Sequence, residues 1–219
     1  MASQTPTKRL TTSFAWVLSL VLCACNFGIW LPTTLDTELT TSSPLRGSAG
    51  DVRTLAIALP STIEILTGVS DPSRGKLDPV ALEIAERMPK SGQLALVQIS
   101  EFHAALSRSK PPDFRVGSSM TETQWKDFLL KGARAVNADG VVLLHGSWDS
   151  PLNRGQTPFG RGEYRRQVGM SVITTRTGET LWSQQATVNV RQGISFASEE
   201  NVRTAAVAPL VRNLLDTLR

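Results

Sequence analysis

The feature that most constrains the fold is a pair of alternating segments in the C-terminal half of the chain. Val168, Met170 and Val172 alternate with polar or small residues, and the same period of two relates Trp182, Ala186, Val188 and Val190. The sequence Thr177-Gly178-Glu179 lies between the two segments and is typical of a tight turn. Because a period of two places alternate side chains on one face of a strand, the sequence predicts a β-hairpin with one buried face.

The rest of the chain alternates between short apolar runs and stretches with helical spacing, which is typical of an α/β domain. Asp78-Pro79 indicates a helix start, and Thr121 with Gln124 forms the pattern of a capping box. The predicted order is β-α-β-α-α-β-β-β-α, a mixed sheet with helices mainly on one face and a C-terminal hairpin followed by a helix. Besides the hairpin, strands are expected at residues 53–59, 94–99 and 141–146, and helices at 78–89, 100–106, 121–136 and 198–218.

The N-terminus has the layout of an export signal. A polar stretch with Lys8 and Arg9 precedes the apolar run Phe14–Leu22, which ends at Cys23-Ala24-Cys25. A cationic start, a short apolar run and a small residue before the cut are typical of a signal peptide. The run is too short to cross about 30 Å of hydrocarbon at 1.5 Å per residue, although an uncleaved inner-membrane anchor extending to Leu31 remains an alternative.

The four residues Leu22-Cys23-Ala24-Cys25 resemble the lipobox of bacterial lipoproteins. The resemblance implies that Cys25 carries a diacylglyceryl thioether and further acyl chains such as palmitate, which hold the protein to a bilayer. We therefore expect a signal peptide at residues 1–24, a lipidated N-terminus and flexible Thr/Ser/Pro-rich tether at 25–50, and one domain at 51–219. Asn26 follows the cysteine, and the resemblance then favours the outer membrane, facing the periplasm. The alternative is that both cysteines are simply apolar members of a signal or anchor helix.

Charge and cysteine content exclude several classes of partner and site. The chain has 23 Lys and Arg against 19 Asp and Glu, and removal of residues 1–24 lowers the net charge from +4 to +2. Such a weak excess of positive charge does not favour a nucleic-acid partner. Since Cys23 and Cys25 are the only cysteines, the expected domain has neither a disulfide framework nor a cysteine-based zinc site.

Four segments resemble a group of small bacterial envelope lipoproteins. They are Leu55–Pro60, Leu96–Glu101, Ala138–Gly146 and Thr177–Trp182. The group is built on the α/β domain shared by the curli-secretion lipoprotein, the N-terminal domain of TolB and the LpoB-type activator of peptidoglycan synthases. The likeness spans most of residues 52–191, with Asn137 where the group usually has Gly. It implies an α/β domain that binds or scaffolds other proteins, since the shared motifs mark turns and core.

The connection between the third strand and the hairpin is the candidate interaction loop. It is long for such a connection, and loops of this length are usually functional or disordered. Arginine and aromatic side chains are favoured at protein interfaces. The alternative is a mobile, solvated connection, and in either case the fold is expected not to depend on its arginines. The candidate residues are Trp148, Arg154, Phe159, Arg161, Tyr164, Arg165 and Arg166.

The sequence offers little evidence for catalysis. His103 and His145 fall in different predicted elements, and no nucleophile, phosphate-binding or metal-binding motif accompanies them. We therefore expect no catalytic, cofactor-binding or metal-binding residues. The leading hypothesis is a membrane-anchored envelope lipoprotein whose non-catalytic domain binds an envelope protein or a second copy of itself. An oligomeric subunit of a secretion or transport assembly is the first alternative, and an envelope hydrolase using His103 or His145 is the second.

Overall fold

The computed structural model describes residues 33–43, 52–67, 75–89, 94–109, 121–146, 148, 163–191 and 197–218. Within these ranges the chain forms a mixed six-stranded sheet and five α-helices, which confirms the predicted α/β class. The strands are β1 (Thr34–Ser43), β2 (Thr54–Ile57), β3 (Ala95–Leu96), β4 (Gly140–His145), β5 (Glu163–Thr174) and β6 (Thr180–Arg191). The helices are α1 (Pro60–Thr67), α2 (Asp78–Arg87), α3 (Ile99–Ser109), α4 (Glu122–Ala135) and α5 (Glu199–Leu218).

The strands lie in the order β1-β6-β5-β4-β2-β3. β2 runs parallel to both of its neighbours, β3 and β4. The pairs β4–β5, β5–β6 and β6–β1 are antiparallel. The predicted hairpin is confirmed as β5 and β6, paired from Glu163 opposite Arg191 to Ile173 opposite Thr180. Gly178 closes its turn with a φ of 71°, a left-handed conformation that glycine adopts without strain.

Strand β1 corrects the expectation for the N-terminal segment. Residues 34–43 were expected to belong to a flexible tether, but they pair with β6 from Thr34 opposite Arg191 to Ser43 opposite Ser183. The domain therefore begins before residue 51. The Thr- and Ser-rich composition of this segment is also common in turns and linkers, which is why a tether was expected. The β-branched side chain of Thr suits a strand when a neighbouring strand supplies hydrogen bonds.

Helices lie on both faces of the sheet, which corrects the expectation that they lie mainly on one. The first core lies between α2, α5 and alternate residues of the sheet such as Ile57, Val142 and Trp182. The second core lies between α1, α3, α4 and residues that include Ala56 and Val141. The short strands β2 and β4 carry consecutive apolar residues, so both of their faces are buried.

Helix α1 was not predicted, because only a strand was expected in this part of the chain, at residues 53–59. Proline also suits the first turn of a helix, where its missing N–H group needs no partner. The expected cap Asp78 begins α2 rather than preceding it, and its carboxylate accepts a hydrogen bond from the N–H of Ser61 at 3.0 Å. Asp78 therefore links α2 to the first turn of α1.

The Ala138–Gly146 motif acts as a junction between β2, α4 and β4. The carboxylate of Asp139 accepts hydrogen bonds from the N–H groups of Arg53 at 3.0 Å and Thr54 at 2.9 Å. Asn137 has a φ of 53°, the left-handed region in which Gly and Asn are the favoured residues. This backbone conformation explains why Asn occupies the position that is usually Gly in the resembling group.

Helix α5 contains Pro209, which cannot donate the usual hydrogen bond to the carbonyl of Ala205 one turn earlier. The hydroxyl of Thr37 on β1 donates to that carbonyl at 3.3 Å. The N-terminal strand thus satisfies a backbone group that the proline leaves unpaired within the C-terminal helix.

We expect Trp182→Ala to lower the free energy of unfolding by about 3–5 kcal/mol, because removing a large buried aromatic side chain leaves a cavity. Trp182 is only 3% exposed and lies in the first core. The matched control is Leu82→Ala, since Leu82 is 46% exposed on α2. Urea denaturation monitored by circular dichroism gives both values, and equal losses in the two variants would show that Trp182 does not support the core.

Candidate functional site

Four side chains meet where the segment 149–162 joins the sheet. Tyr164 and Arg166 project from the start of β5, Glu199 begins α5, and Trp148 follows the end of β4. We call these four residues the Trp148 cluster. Their meeting depends on the length of β6, which extends the ladder far enough to bring Tyr164 opposite Val190 and Arg166 opposite Val188.

Trp148 is the apolar centre of this cluster. It is 4% exposed and belongs to the first core. Its indole Nε1–H donates a hydrogen bond of 2.5 Å to Oε1 of Glu199. Glu199 lies in the first turn of α5, where a carboxylate is also stabilised by the helix dipole. The indole thus has both apolar packing and the polar partner that a buried tryptophan needs.

Arg166 joins the two sides of the cluster. Its Nη1 donates to the backbone carbonyl of Trp148, and its Nη2 lies 3.7 Å from Oε2 of Glu199. Its guanidinium carbon lies 5.5 Å from the centre of the Tyr164 ring, within the range of a cation–π contact. Since the Arg166 side chain is only 15% exposed, this cation is held mainly by protein groups.

Tyr164 covers one side of the cluster and is half-buried. Burial raises the pKa of its hydroxyl above the ordinary value, and the charge of Arg166 opposes this effect while that of Glu199 adds to it. The hydroxyl therefore remains protonated at neutral pH. It can donate or accept a hydrogen bond, whereas the ring contacts the guanidinium.

The structure separates the sequence-predicted interaction residues into three groups. Trp148, Tyr164 and Arg166 meet in the cluster, and Arg165 points to the opposite face of the sheet, where its Nε–H donates to Oδ1 of Asn189 at 3.3 Å. The other predicted residues, Arg154, Phe159 and Arg161, lie outside the described residues.

Two expectations about this region are corrected. Arg166 and Trp148 were expected to be loop residues on which the fold does not depend, but both are largely buried and bonded to each other. Glu199 was not among the predicted interaction residues, but it bonds to Trp148 from the first turn of α5. Two sequence features could have indicated the bond between Glu199 and Trp148. The predicted C-terminal helix begins with acidic residues, and Trp148 lies outside every predicted helix and strand.

The two histidines lie apart from this cluster. Nε2 of His103 accepts the N–H of Leu59 at 3.2 Å, and its Nδ1 lies 3.2 Å from the hydroxyl of Thr62. Burial lowers the pKa of His103, and the charge of Asp78 partly opposes this. His145 lies directly over Gly169, where a Cβ would meet its ring within 2.6 Å. Partial burial lowers the pKa of His145 as well.

The described ranges contain neither a cluster of metal ligands nor a helix that could span a membrane. No group of three His, Cys, Asp or Glu side chains in these ranges has the arrangement to hold a metal ion. None of the helices described above is long and apolar enough to cross a membrane.

No family model matches the sequence, and no curated protein matches it. Solved structures that are distantly similar to this chain include the three that follow. The PelC dodecamer from Paraburkholderia phytofirmans has 17% identity, a TM-score of 0.36, and coverage of 84% of this chain and 98% of the PelC chain. The LpoB C-terminal domain from Salmonella enterica has 15% identity, a TM-score of 0.33, and coverage of 67% and 84%.

The third is a lipoprotein from Neisseria meningitidis, with 12% identity, a TM-score of 0.42, and coverage of 75% of this chain and 99% of that one. At these TM-scores, none of the three likenesses assigns a family or a function to the chain. The α/β fold is established by the chain's own strands and helices.

We expect Arg166→Met to lower the free energy of unfolding by about 1–3 kcal/mol, because the buried Trp148 carbonyl and Glu199 both lose a charged partner. Arg191→Met is the matched control. Arg191 also faces a carboxylate, Glu163 at 3.2 Å, but its side chain is 75% exposed, so its loss should cost no more than about 1 kcal/mol. Equal stability of the wild type and Arg166→Met in urea denaturation would contradict the role of Arg166 in the fold.

Stability should also fall on acidification, because burial in the native state lowers the pKa of His103 and His145. A histidine whose pKa is lowered on folding binds fewer protons in the native state than in the unfolded one. Its contribution is therefore complete above the ordinary value of 6.5 and is lost as the pH falls toward the lowered native value. His103→Gln retains an acceptor for Leu59 and should flatten the decline in melting temperature between about pH 7 and pH 5. An unchanged slope in this variant would show that His103 titrates normally.

Proposed function

We propose that the chain is a lipid-anchored protein of the bacterial cell envelope, whose non-catalytic domain binds another envelope protein through residues 148–166. The N-terminal pattern ending at Cys25 supports the anchor. The Trp148 cluster supports the position of the binding segment. The outer membrane, facing the periplasm, is the proposed location.

The observation that carries the proposal is the bonding between Trp148 and Arg166. These residues are 18 positions apart, yet the Arg166 guanidinium donates to the Trp148 carbonyl. Glu199 holds both of them against the start of α5. The described residues that flank the segment 149–162 are therefore held together, and binding segments are commonly carried by such a rigid framework.

The composition of the segment suits a protein partner. Arg154, Phe159 and Arg161 lie between the two ends. Aromatic and arginine side chains are the residue types most enriched among the contacts that dominate protein binding. A buried base limits the motion of the attachment points, which reduces the ordering cost when such a segment binds.

The environment of His103 supports a non-catalytic domain. Because Nε2 accepts the Leu59 N–H, the neutral ring carries its proton on Nδ1 and donates it to Thr62. In this tautomer the ring has no free basic nitrogen with which to activate the Thr62 hydroxyl as a nucleophile. The hydrogen bonds of His103 instead join α3 to the start of α1.

The anchor is tested by mass spectrometry of the mature N-terminus from the envelope fraction of bacteria that express the full chain. We expect the first residue to be Cys25, with the added mass of a diacylglyceryl group and an amide-linked acyl chain. Cys25→Ser should accumulate unprocessed, and Cys23→Ser is the matched control that should be processed normally. An intact Met1 peptide in the wild type would instead support the inner-membrane signal anchor.

The binding segment is tested by crosslinking in intact cells. The triple variant Arg154→Ser, Phe159→Ala, Arg161→Ser should reduce the yield of the partner crosslink at least tenfold. Its melting temperature should match that of the wild type, because the Trp148 cluster is untouched. Lys131→Ser, on the exposed side of α4, is the matched control. Unchanged crosslinking in the triple variant would contradict the proposed binding role.

A further inference from the structure

One face of the strands β1, β6 and β5 carries polar side chains in regular rows. Because side chains alternate along a strand, these residues point away from α5 and the first core. We call this surface the polar shelf. It is defined by Asp36 and Glu38 on β1, Thr187 and Asn189 on β6, and Arg165 and Gln167 on β5.

The helices on this side of the sheet do not extend over the polar shelf within the described part of the chain. The second core contains side chains of β2 and β4 but none from β1, β5 or β6. Helix α4 reaches the hairpin only at its turn, where Leu130 lies beside Gly178 and the Arg134 guanidinium donates to the Thr175 carbonyl. The polar shelf therefore lies one helix layer, about 10 Å, below the neighbouring surface.

The charges on the polar shelf are divided between its two outer strands. The acidic residues Asp36 and Glu38 lie on β1, and Arg165 lies on β5. The register places Asp36, Asn189 and Arg165 in one row, with Asn189 on the central strand β6. Asn189 also accepts from Arg165 at 3.3 Å and donates to Glu38 at 3.4 Å, which fixes these side chains relative to one another.

We propose that the polar shelf is the interface of a homodimer, with a second copy of this chain as its partner. The two sheets stack face to face, and the two-fold axis lies between them, parallel to β6. This axis places β1 and β5 of one copy opposite β5 and β1 of the other. Each row of one copy then lies opposite the same row of the other copy. β1 of one copy then lies over β5 of the other, and Asp36 faces Arg165 of the partner subunit. The symmetry repeats this ion pair, so each dimer gains two.

The spacing suits such a contact. Stacked sheets lie about 10 Å apart, a gap that an aspartate and an arginine side chain together span. Thr187 lies nearest the axis but is only 4% exposed, beside the Gln167 amide that donates to it at 3.4 Å, so it does not oppose close approach. Arg191 faces its own copy, but Glu163 neutralises it at 3.2 Å within each subunit.

The difference in height between the polar shelf and the neighbouring helix layer also suits the proposed dimer. The helix layer over β2 and β4 is about as thick as the gap between the two sheets. Under the same axis, the helix layer of the second copy descends beside β1, whose outer edge is unpaired within the described sheet. An open strand edge is commonly covered by a helix or loop, and the dimer provides such a cover.

The area of the polar shelf sets the strength of the contact. Three strands and two rows give a surface roughly 14 Å by 14 Å, which is smaller than a standard stable interface. The dimer should therefore be weak in solution. Attachment of both copies to one bilayer would raise their effective concentration and favour it. The contact itself does not require Cys25.

Charge reversal tests the proposal by sedimentation velocity of the purified full chain in detergent, over a series of concentrations. We expect a monomer–dimer equilibrium in the wild type. Asp36→Arg and Arg165→Asp should each raise the dissociation constant at least tenfold, because each reversal turns both ion pairs into like-charge contacts. The double variant should return to within about threefold of the wild type. Glu86→Arg, on the exposed side of α2 and on the opposite face of the sheet, is the matched control and should leave the constant unchanged.

The outcomes distinguish this inference from the proposed function. A Cys25→Ser chain should lose its anchor but keep the dimer. A wild type that remains monomeric at every concentration would overturn the inference, as would a larger assembly that neither reversal changes. Failure of the double variant to recover, with native circular dichroism, would also overturn it. If Arg165→Asp unfolds, Asp36→Arg still tests the proposal, because Asp36 is exposed and its replacement should not unfold the domain. An unchanged dissociation constant in Asp36→Arg would show that the interface lies elsewhere.

Discussion

The structure depends on β6, which pairs along most of its length with β5 on one side and β1 on the other. The backbone groups of a strand with two antiparallel neighbours are all hydrogen-bonded. The side chains of the strand then determine which face of the sheet is buried. In β6 the apolar residues Trp182, Ala186, Val188 and Val190 share one face and pack under α5. Gln184 lies on the same face and accepts a hydrogen bond from Asn213 of α5 at 3.3 Å. This one alternation sets the register of three strands and separates the first core from the polar shelf.

The two helix layers meet the sheet in different ways. Over the first core, α2 and α5 are joined by Glu83, which Arg87 contacts at 2.9 Å and Arg203 at 2.7 Å. Burial alone would raise the pKa of Glu83, but hydrogen bonds from Thr204, Arg203 and Arg87 hold it below the ordinary value. The carboxylate therefore stays charged, and a buried acid with three donors fixes the position of α5 relative to α2. The start of α5 is thus constrained by Glu83 and by the Trp148 cluster.

The sequence was sufficient to predict elements that local patterns specify. The β5–β6 hairpin, the capping box of Thr121 and the α/β class follow from period, turn chemistry and caps. It was not sufficient where long-range pairing decides the structure. β1 has the composition of a linker and becomes a strand only because β6 offers an edge, and Arg166 looks like a loop residue until β6 extends the ladder to Glu163. Of the candidate site, Trp148 and Arg166 were identified by residue type, but their burial and their partner Glu199 depend on tertiary contacts.

The pairing of β1 also has a cause in the C-terminal helix that links the two ends of the domain. A proline inside a helix leaves one carbonyl without its usual donor, and an unpaired buried carbonyl is costly. Pro209 frees the carbonyl of Ala205, and Thr37 donates to it from β1. An apolar residue at position 37 would pack on α5 but could not donate this hydrogen bond. The threonine is therefore explained by the proline 172 residues later, and the helix–strand contact favours β1 at this edge of the sheet over an unstructured linker.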